Sequence, residues 1–443
     1  MLEKPNKPGE FRPISIPTIF DRCVQALYHM ALDPIAEHNA EPSSYGFRKG
    51  RSTIMAASDL HLALVNKFHP SYAIEVDISK CFDSISHDWM LANIPIDKRV
   101  LKAWLKQGFI YKDLKLGGNW NETPMGIPQG GIISPTLCNI TLDGLTKFIR
   151  SKLFELIKSG VISLQETGYV KFRPTLALIH TVRYADDMVI LWKSKTICDS
   201  TQTFLDEFLL ERGLKGNKTK TKVPHLMEPK AYMDFLGYRV QKEYYKPNRY
   251  RKGEKWFIET PPKALQNLKE KLSETLKKCR NGKEIFQKDD PILRGWLNYY
   301  SATNARKVFK KVNRWFFKFM LNSIIKFVSK WKFLRKKRRV RKTKMYTLIF
   351  RRYLVKLDLL KSSRWFRYID PKGPERKKNL VVARPNGFPL LKPKPSFIPK
   401  ASFYDLSDRT KLAKLALEYK NNKFKSDIYE KSEYKCQRCQ NNL

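Results

Sequence analysis

Two adjacent carboxylates, Asp186 and Asp187, lie in "HTVRYADDMVILWKSK" (180–195) between two runs of strand-forming residues. Like charges side by side repel, and a solvated turn is made more cheaply with Asn-Gly or Asp-Gly, so the pair asks for a compensating cation. A divalent metal ion is the obvious one. A third carboxylate, Asp77, ends an apolar run in "AIEVDISKCFDSISHDWM" (73–90), five residues ahead of Phe82. A nucleotidyl transfer needs carboxylates from two separate strands, holding two Mg²⁺ ions about 3.5–4 Å apart, one on a 3′-hydroxyl and one on a triphosphate. Each aspartate alone is an ordinary strand-end or turn residue; together they form a candidate centre.

Between the two lies "GIPQGGIISPTLCN" (126–139). Gly126, Gly130 and Gly131 let backbone approach something bulky, and Gln129 offers both a donor and an acceptor. A base pair or sugar resting on this loop fits; a turn of purely structural use is the other reading.

The elements that must position these residues follow from periodicity. Up to about residue 245, short β-rich runs such as "SYAIEVDIS" and "MVILW" alternate with helical stretches such as "DRCVQALYHMALDPIAEH" and "STQTFLDEFLLERG", an α+β pattern. From 261 to about 330 strands vanish, and "PPKALQNLKEKLSETLKKCR", "DPILRGWLNYYSATN" and "ARKVFKKVNRWFFKFMLNSIIKFVSKW" read as three helices, the first two opening on Pro or Asp. Arg294, Trp296, Asn298, Tyr299 and Tyr300 share the second of them, a mixture able to stack on bases and hold phosphates, although aromatic residues at helical spacing also suit a core. We assign the rings to packing and Arg294 to RNA. Beyond lies "RKKRRVRKTK" (335–344), whose Arg335, Lys336, Lys337, Arg338 and Arg339 open a run suited to phosphate contact. A Pro- and Lys-rich stretch (384–400) and a helix-like segment to about 430 follow.

Composition narrows the partners. The chain has 443 residues, 86 Lys and Arg against 42 Asp and Glu, and a formal charge of +44. Self-repulsion on that scale points to a polyanion, with nucleic acid leading. A membrane partner would want a basic amphipathic helix or an apolar span of about 20 residues, and the sequence has no such span. Nor does the start, "MLEKPNKPGEFRPISIP", contain the apolar stretch of a secretory signal. Seven mostly scattered cysteines argue for a reducing compartment. Only Cys436 and Cys439 have ligand spacing, and one C-x-x-C pair is half of a zinc site, so zinc is not expected.

"VDISKCFDSI", "GIPQGGIISPTLCN", "RYADD" and "FLGY" (235–238), in this order and spacing, resemble the palm motifs of reverse transcriptases. The leading "FRPISIPTIFDRCVQALYHMALDPIAE" and "SYGFRKGRS" resemble the fingers of the group II intron-encoded branch. "PILRGWLNYY" (291–300) is similar to its maturase-specific thumb, and "KCQRC" to the opening of its HNH nuclease. The resemblance implies a right-hand polymerase with fingers and palm over 1–245, a three-helix maturase or thumb domain over 246–345, a basic DNA-binding region over 346–430 and the start of a nuclease over 431–443. It implies metal ligation by Asp77 and Asp186, supported by Asp187 and the Ile78 carbonyl. Phe82 would exclude a 2′-hydroxyl, and Arg12 and Arg48 would clamp triphosphate and template. Lys220 would protonate pyrophosphate. Gln129 and Gly130 would lie under the nascent pair, and Phe235 and Gly237 would belong to a primer grip, although Phe235 also suits a core.

The expected activity is synthesis of DNA on an intron RNA template during retrohoming, together with assistance to splicing of the host group II intron. Intron RNA, target DNA and deoxynucleoside triphosphates would be the partners, with two Mg²⁺ as cofactors, in bacterial cytoplasm or an organelle. A splicing-only RNA-binding protein is the alternative, and the intact carboxylates and Phe82 speak against it. An RNA-dependent RNA polymerase shares the carboxylates but disagrees with Phe82. Because no second ligand pair or nuclease histidines follow Cys439, the chain is expected to prime from an end made elsewhere rather than cut the second strand itself.

Overall fold

The structure, a computed structural model, describes residues 2–3, 11–12, 15–65, 70–113, 117–162, 179–217, 221, 224–228, 230–244, 254–279, 282–329, 355–360, 363–368, 380–381 and 404–405. At its centre strand Asp187–Trp192 pairs antiparallel with Tyr72–Val76 on one side and His180–Tyr184 on the other. Its continuous apolar run is what a strand covered on both faces requires. Val189 and Leu191 enter one core, while Met188, Ile190 and Trp192 enter the other.

The second core is closed by helices Lys98–Lys106, Ser134–Leu142, Leu145–Lys158 and Lys195–Glu211. The first is closed by helix Thr53–Val65, by a three-stranded sheet of Tyr232–Phe235, Tyr238–Tyr244 and Glu254–Glu259, and by helices Pro262–Lys277, Gly282–Tyr300 and Arg306–Ser329. Leu268, Leu272 and Leu276 form an apolar stripe at four-residue spacing, facing Leu293 and Leu297 and then Phe309, Val312 and Phe316. That stripe is the stabilising face of each helix. The three C-terminal helices therefore share one core with the central sheet, which the division of the sequence near residue 245 does not anticipate.

The second of these helices begins at Gly282, and Pro291 lies inside it rather than at its start. Proline suits the first turn of a helix, but an interior one costs a hydrogen bond and bends the axis; Pro34 inside helix Ile19–Asn39 is a parallel case. Within the basic C-terminal region strands Val355–Leu360, Ser363–Tyr368 and Leu380–Val381 pair antiparallel, which the sequence did not suggest. Among the described residues no helix is long and apolar enough to cross a membrane.

Candidate active site

Strand register brings the three carboxylates together. Val76, the last paired residue of its strand, faces Met188, so Asp77 follows directly at the end of the sheet where Asp187 begins the partner strand. Tyr184 faces Asp187, which leaves Ala185 and Asp186 as a two-residue turn, with Ala185 at φ 59°. Opposed residues of an antiparallel pair have Cβ atoms about 4.5–5.5 Å apart. Strand alternation puts Asp77 on the face of Ala73, and Asp187 on the face of Val189 and Leu191, all of which belong to the core shared with the C-terminal helices. Asp77 and Asp186 are half-buried and Asp187 is exposed.

The outer edge of strand Tyr72–Val76 is braced by a segment that carries no motif. The Asn217 amide donates to the Asp77 carbonyl (2.8 Å) and the Ser79 amide to the Lys215 carbonyl (3.0 Å). The Asn217 side chain donates to Asp77 Oδ2 at 3.1 Å. These two backbone bonds flank the Ile78–Gly216 bridge, so the Ile78 carbonyl is turned to the opposite edge, the one that carries Asp186 and Asp187. Oxygen donors of this kind suit magnesium, which takes one or two carboxylates along with substrate phosphates and water. Among the described residues no three His, Cys, Asp or Glu side chains form a preformed metal cage.

Phe82 is carried by the short helix Cys81–Ser84. The Ile127 amide donates to its carbonyl at 2.6 Å, and Gly126 lies so close that an added Cβ would fall 2.5 Å from the Asp83 carbonyl carbon. Only glycine permits that approach, at a φ of 85°. Gln129 Nε2 donates to Asp83 Oδ1 (2.9 Å), and the Gln129 carbonyl accepts from the Ser15 amide (2.7 Å), while Gly130 is exposed. The loop is thus bolted to the helix that bears Phe82. Beneath it Cys81 Sγ lies 3.9 Å from Cys138 Sγ, and that contact together with burial pushes the Cys81 thiol well up, so it stays neutral.

The segment "SYGFR" (44–48) docks along strand His180–Tyr184. Ser44 bridges Arg183, and the Tyr45 amide donates to the Arg183 carbonyl at 2.8 Å. An added Cβ on Gly46 would collide with the Ala185 amide nitrogen and come within 2.9 Å of the Tyr184 carbonyl carbon. Asn139 Nδ2 donates to the Gly46 carbonyl (2.8 Å), while its Oδ1 accepts from Arg183 (3.3 Å), which also pairs with Asp143. Burial pushes the Asp143 carboxyl up to about 6, against the opposing pull of Arg183.

Arg48, placed at the triphosphate by its motif, is instead turned inward. Its guanidinium grips Glu37 with two bonds (2.6 and 2.7 Å) and the carbonyls of Glu41 (2.9 Å) and Ser44 (2.7 Å), with 7% of the side chain exposed. A bidentate carboxylate pair satisfies the same fork that phosphate would use. Arg12 lies in the short strand Phe11–Arg12.

The "FLGY" hairpin closes on the same face of the sheet. Phe235 pairs with Tyr238, and Leu236 and Gly237 have φ of 50° and 74°, the signature of a type I′ turn. The Tyr299 hydroxyl donates to the Leu236 carbonyl (2.5 Å) and the Tyr300 hydroxyl to the Gly237 carbonyl (3.0 Å). Tyr238 stacks on Tyr299 at 4.8 Å and 3°. Burial pushes the Tyr238 and Tyr300 hydroxyls up, which keeps them protonated. Phe235, a candidate for substrate contact, is a core residue: strand alternation sends it inward, and the turn alone is presented. Arg294 pairs with Asp290 one helical turn earlier (3.0 Å). Lys220, the run Arg335, Lys336, Lys337, Arg338 and Arg339, and Cys436 and Cys439 lie outside the described residues.

Residues 2–240 match the family model "Reverse transcriptase (RNA-dependent DNA polymerase)", and residues 265–345 match "Group II intron, maturase-specific domain". Protein YkfC of Escherichia coli is 29% identical over 64% of this chain and 76% of its own length. The group II intron-encoded protein LtrA of Lactococcus lactis is 29% identical over 52% of this chain and 45% of its own. The putative COX1/OXI3 intron 1 protein of Saccharomyces cerevisiae is 31% identical over 54% of this chain and 32% of its own, so the chain spans about a third of that relative's length. Among solved structures, telomerase from Candida albicans aligns over 75% of this chain and 55% of that one, at 14% identity and a TM-score of 0.36. The first family match spans more than half of the chain and takes in the three carboxylates, the Phe82 helix, the glycine loop and the "FLGY" turn: the chain belongs to the reverse transcriptase family and carries a group II intron maturase-specific domain behind it.

Proposed function

We propose that the chain is an RNA-directed DNA polymerase that copies group II intron RNA into DNA by target-primed reverse transcription and assists splicing of the intron that encodes it. The observation that carries this reading is the register that sets Asp77 against Asp186 and Asp187 at one end of the central sheet, on the face closed by the "FLGY" turn.

Asp77 and Asp186 would hold two Mg²⁺ ions, with Asp187 and the Ile78 carbonyl in support; when bound, the ions activate a primer 3′-hydroxyl and balance the charge of the triphosphate. Phe82, at the edge of this centre, closes the space that a 2′-hydroxyl would fill. Gln129 and Gly130 form the floor for the nascent base pair, and the Leu236–Gly237 turn sets the primer strand. Arg12 would meet triphosphate or template, and Lys220 the leaving pyrophosphate. Arg294 and the run Arg335, Lys336, Lys337, Arg338 and Arg339 would contact intron RNA. The division into fingers and palm (1–245), thumb (246–345) and a basic DNA-binding region (346–430) follows this reading, as do host intron RNA, target DNA and deoxynucleoside triphosphates as partners. So does a location wherever the intron is transcribed, in bacterial cytoplasm or an organelle.

The test is Asp186→Asn. Removing one ligand oxygen charge should lower primer extension on an RNA template by about a thousandfold or more, equivalent to about 4 kcal/mol. Intron RNA binding and splicing assistance should persist, because the basic surfaces are untouched. Extension at the wild-type rate would sink the polymerase assignment.

A further inference from the structure

We propose that Phe47 is a specificity-determining positioning residue, which holds the Phe82 ring against the sugar of the incoming nucleotide. This rests on the assignment of Phe82 as the barrier to a 2′-hydroxyl.

From Ser44 to Arg48 every side chain or carbonyl but that of Phe47 is committed inward. Tyr45 is buried, with its hydroxyl on Asp59 (3.0 Å), a carboxylate that also meets His180 (3.1 Å). Gly46 is pressed on Ala185 and held through its carbonyl by Asn139. Arg48 is locked to Glu37. Between these anchors Phe47 stands 53% exposed with φ of 60°. A left-handed backbone is strained for a residue with a side chain, and a ring left about half in water forgoes part of the free energy of burial. What the ring gains is an edge-to-face contact with Phe82, at 6.4 Å between centroids and 82° between planes. A single edge-to-face contact is a small gain beside backbone strain and lost burial. A strained, exposed ring that is uneconomical for folding, one residue beyond the glycine that touches the Asp186 turn, is best explained by what it holds.

Phe82 needs holding. It hangs from a helix of only four residues and leans on the second core along one side. Phe47 covers another side of it. Without that contact the Phe82 ring gains rotamer freedom, and the space it denies to a 2′-hydroxyl opens part of the time.

The experiment is single-nucleotide extension of a DNA primer on an RNA template by the full chain, with dNTP and rNTP in separate reactions. Wild type, Phe47→Ala, Phe47→Gly, Phe47→Tyr, Phe82→Ala and the Phe47→Ala/Phe82→Ala double variant are compared. Phe47→Ala should raise the rNTP-to-dNTP efficiency ratio about tenfold, the scale of one aromatic contact, through a lower ribonucleotide KM. Phe47→Gly, which suits the left-handed backbone, should do the same and keeps the test open if the alanine variant folds poorly. Phe47→Tyr should retain discrimination. The double variant should be no more permissive than Phe82→Ala. An unchanged ratio in both Phe47→Ala and Phe47→Gly, or an additive double variant, overturns the proposal while leaving Phe82 as the barrier. An unchanged ratio in Phe82→Ala is a different result, and it removes the barrier assignment and this inference together.

Discussion

Two hairpins of this chain close with two-residue turns that place a residue other than glycine in the left-handed region, Ala185 in one and Leu236 in the other, and they are braced in opposite ways. The Ala185–Asp186 turn is braced through its backbone, by a glycine that comes against it with no side chain between. The Leu236–Gly237 turn is braced by two tyrosine hydroxyls arriving from a helix 63 residues further on. The turn that carries Asp186 is supported by close packing behind it. The turn of Leu236 and Gly237 has its carbonyls gripped by side chains from elsewhere.

The largest effect expected from this contrast is that of Gly46→Ala. A Cβ there has nowhere to go but into backbone, so the chain should lose about 3 kcal/mol in urea unfolding and extend primers at least about a hundredfold more slowly. Wild-type stability would mean that the Ser44–Arg48 segment does not brace the aspartate turn. The opposite turn is sensitive to the helix that supplies its tyrosines, in which Asp289 is fully buried with neither carboxylate oxygen hydrogen-bonded among the described residues. Burial pushes that carboxyl up to about 7 from an ordinary value of 3.8. The folded state therefore binds the proton more tightly than the unfolded chain, and stability falls as pH rises from about 4 to about 7. Asp289→Asn should flatten that dependence and raise the melting temperature at pH 8 more than at pH 5, by an amount corresponding to about 1–3 kcal/mol. Equal shifts at both pH values would show the carboxyl to be solvated.

Smaller still, Tyr299→Phe and Tyr300→Phe should each cost about 1 kcal/mol and raise the KM for primer–template more than they lower kcat, because each leaves one turn carbonyl unbound. Ala185→Gly should be close to neutral. Relief of the left-handed backbone, about 1 kcal/mol, is offset by the greater freedom of glycine in the unfolded chain. A cost above about 2 kcal/mol would show that the Ala185 methyl, not the Gly46 contact, anchors the turn.

Much of the site is legible in the sequence. An apolar run that stops at Asp77 and another that starts after Asp187 announce strand ends, and period-two alternation carries both carboxylates to one face. Arg48 is not legible in this way, because its partner Glu37 lies eleven residues earlier on a helix and nothing local shows that the guanidinium turns inward. Phe235 could be read either as a contact or as core, and only the hairpin register decides. Asn217 carries no motif, and its importance comes from a bridge across 140 residues. Pro291 misleads because the helix is held by tertiary packing, which outweighs local propensity. Phe47 sits within a motif, but its significance lies in a backbone angle that no sequence displays.

The core that passes from Val182 and Val189 through Met233 and Tyr238 to Leu297 and Phe316 bears on how the molecule comes apart. A chain cut near residue 245 would leave Tyr238 and Val240 without the helices that share their core, so residues 1–245 are expected not to hold their fold alone. Heat or denaturant should melt the two regions in one cooperative transition, with amide protection in the helix Gly282–Tyr300 rising and falling together with that of the central strands. Loosening of the helical end would then be felt at the aspartates with no ligand to carry the message.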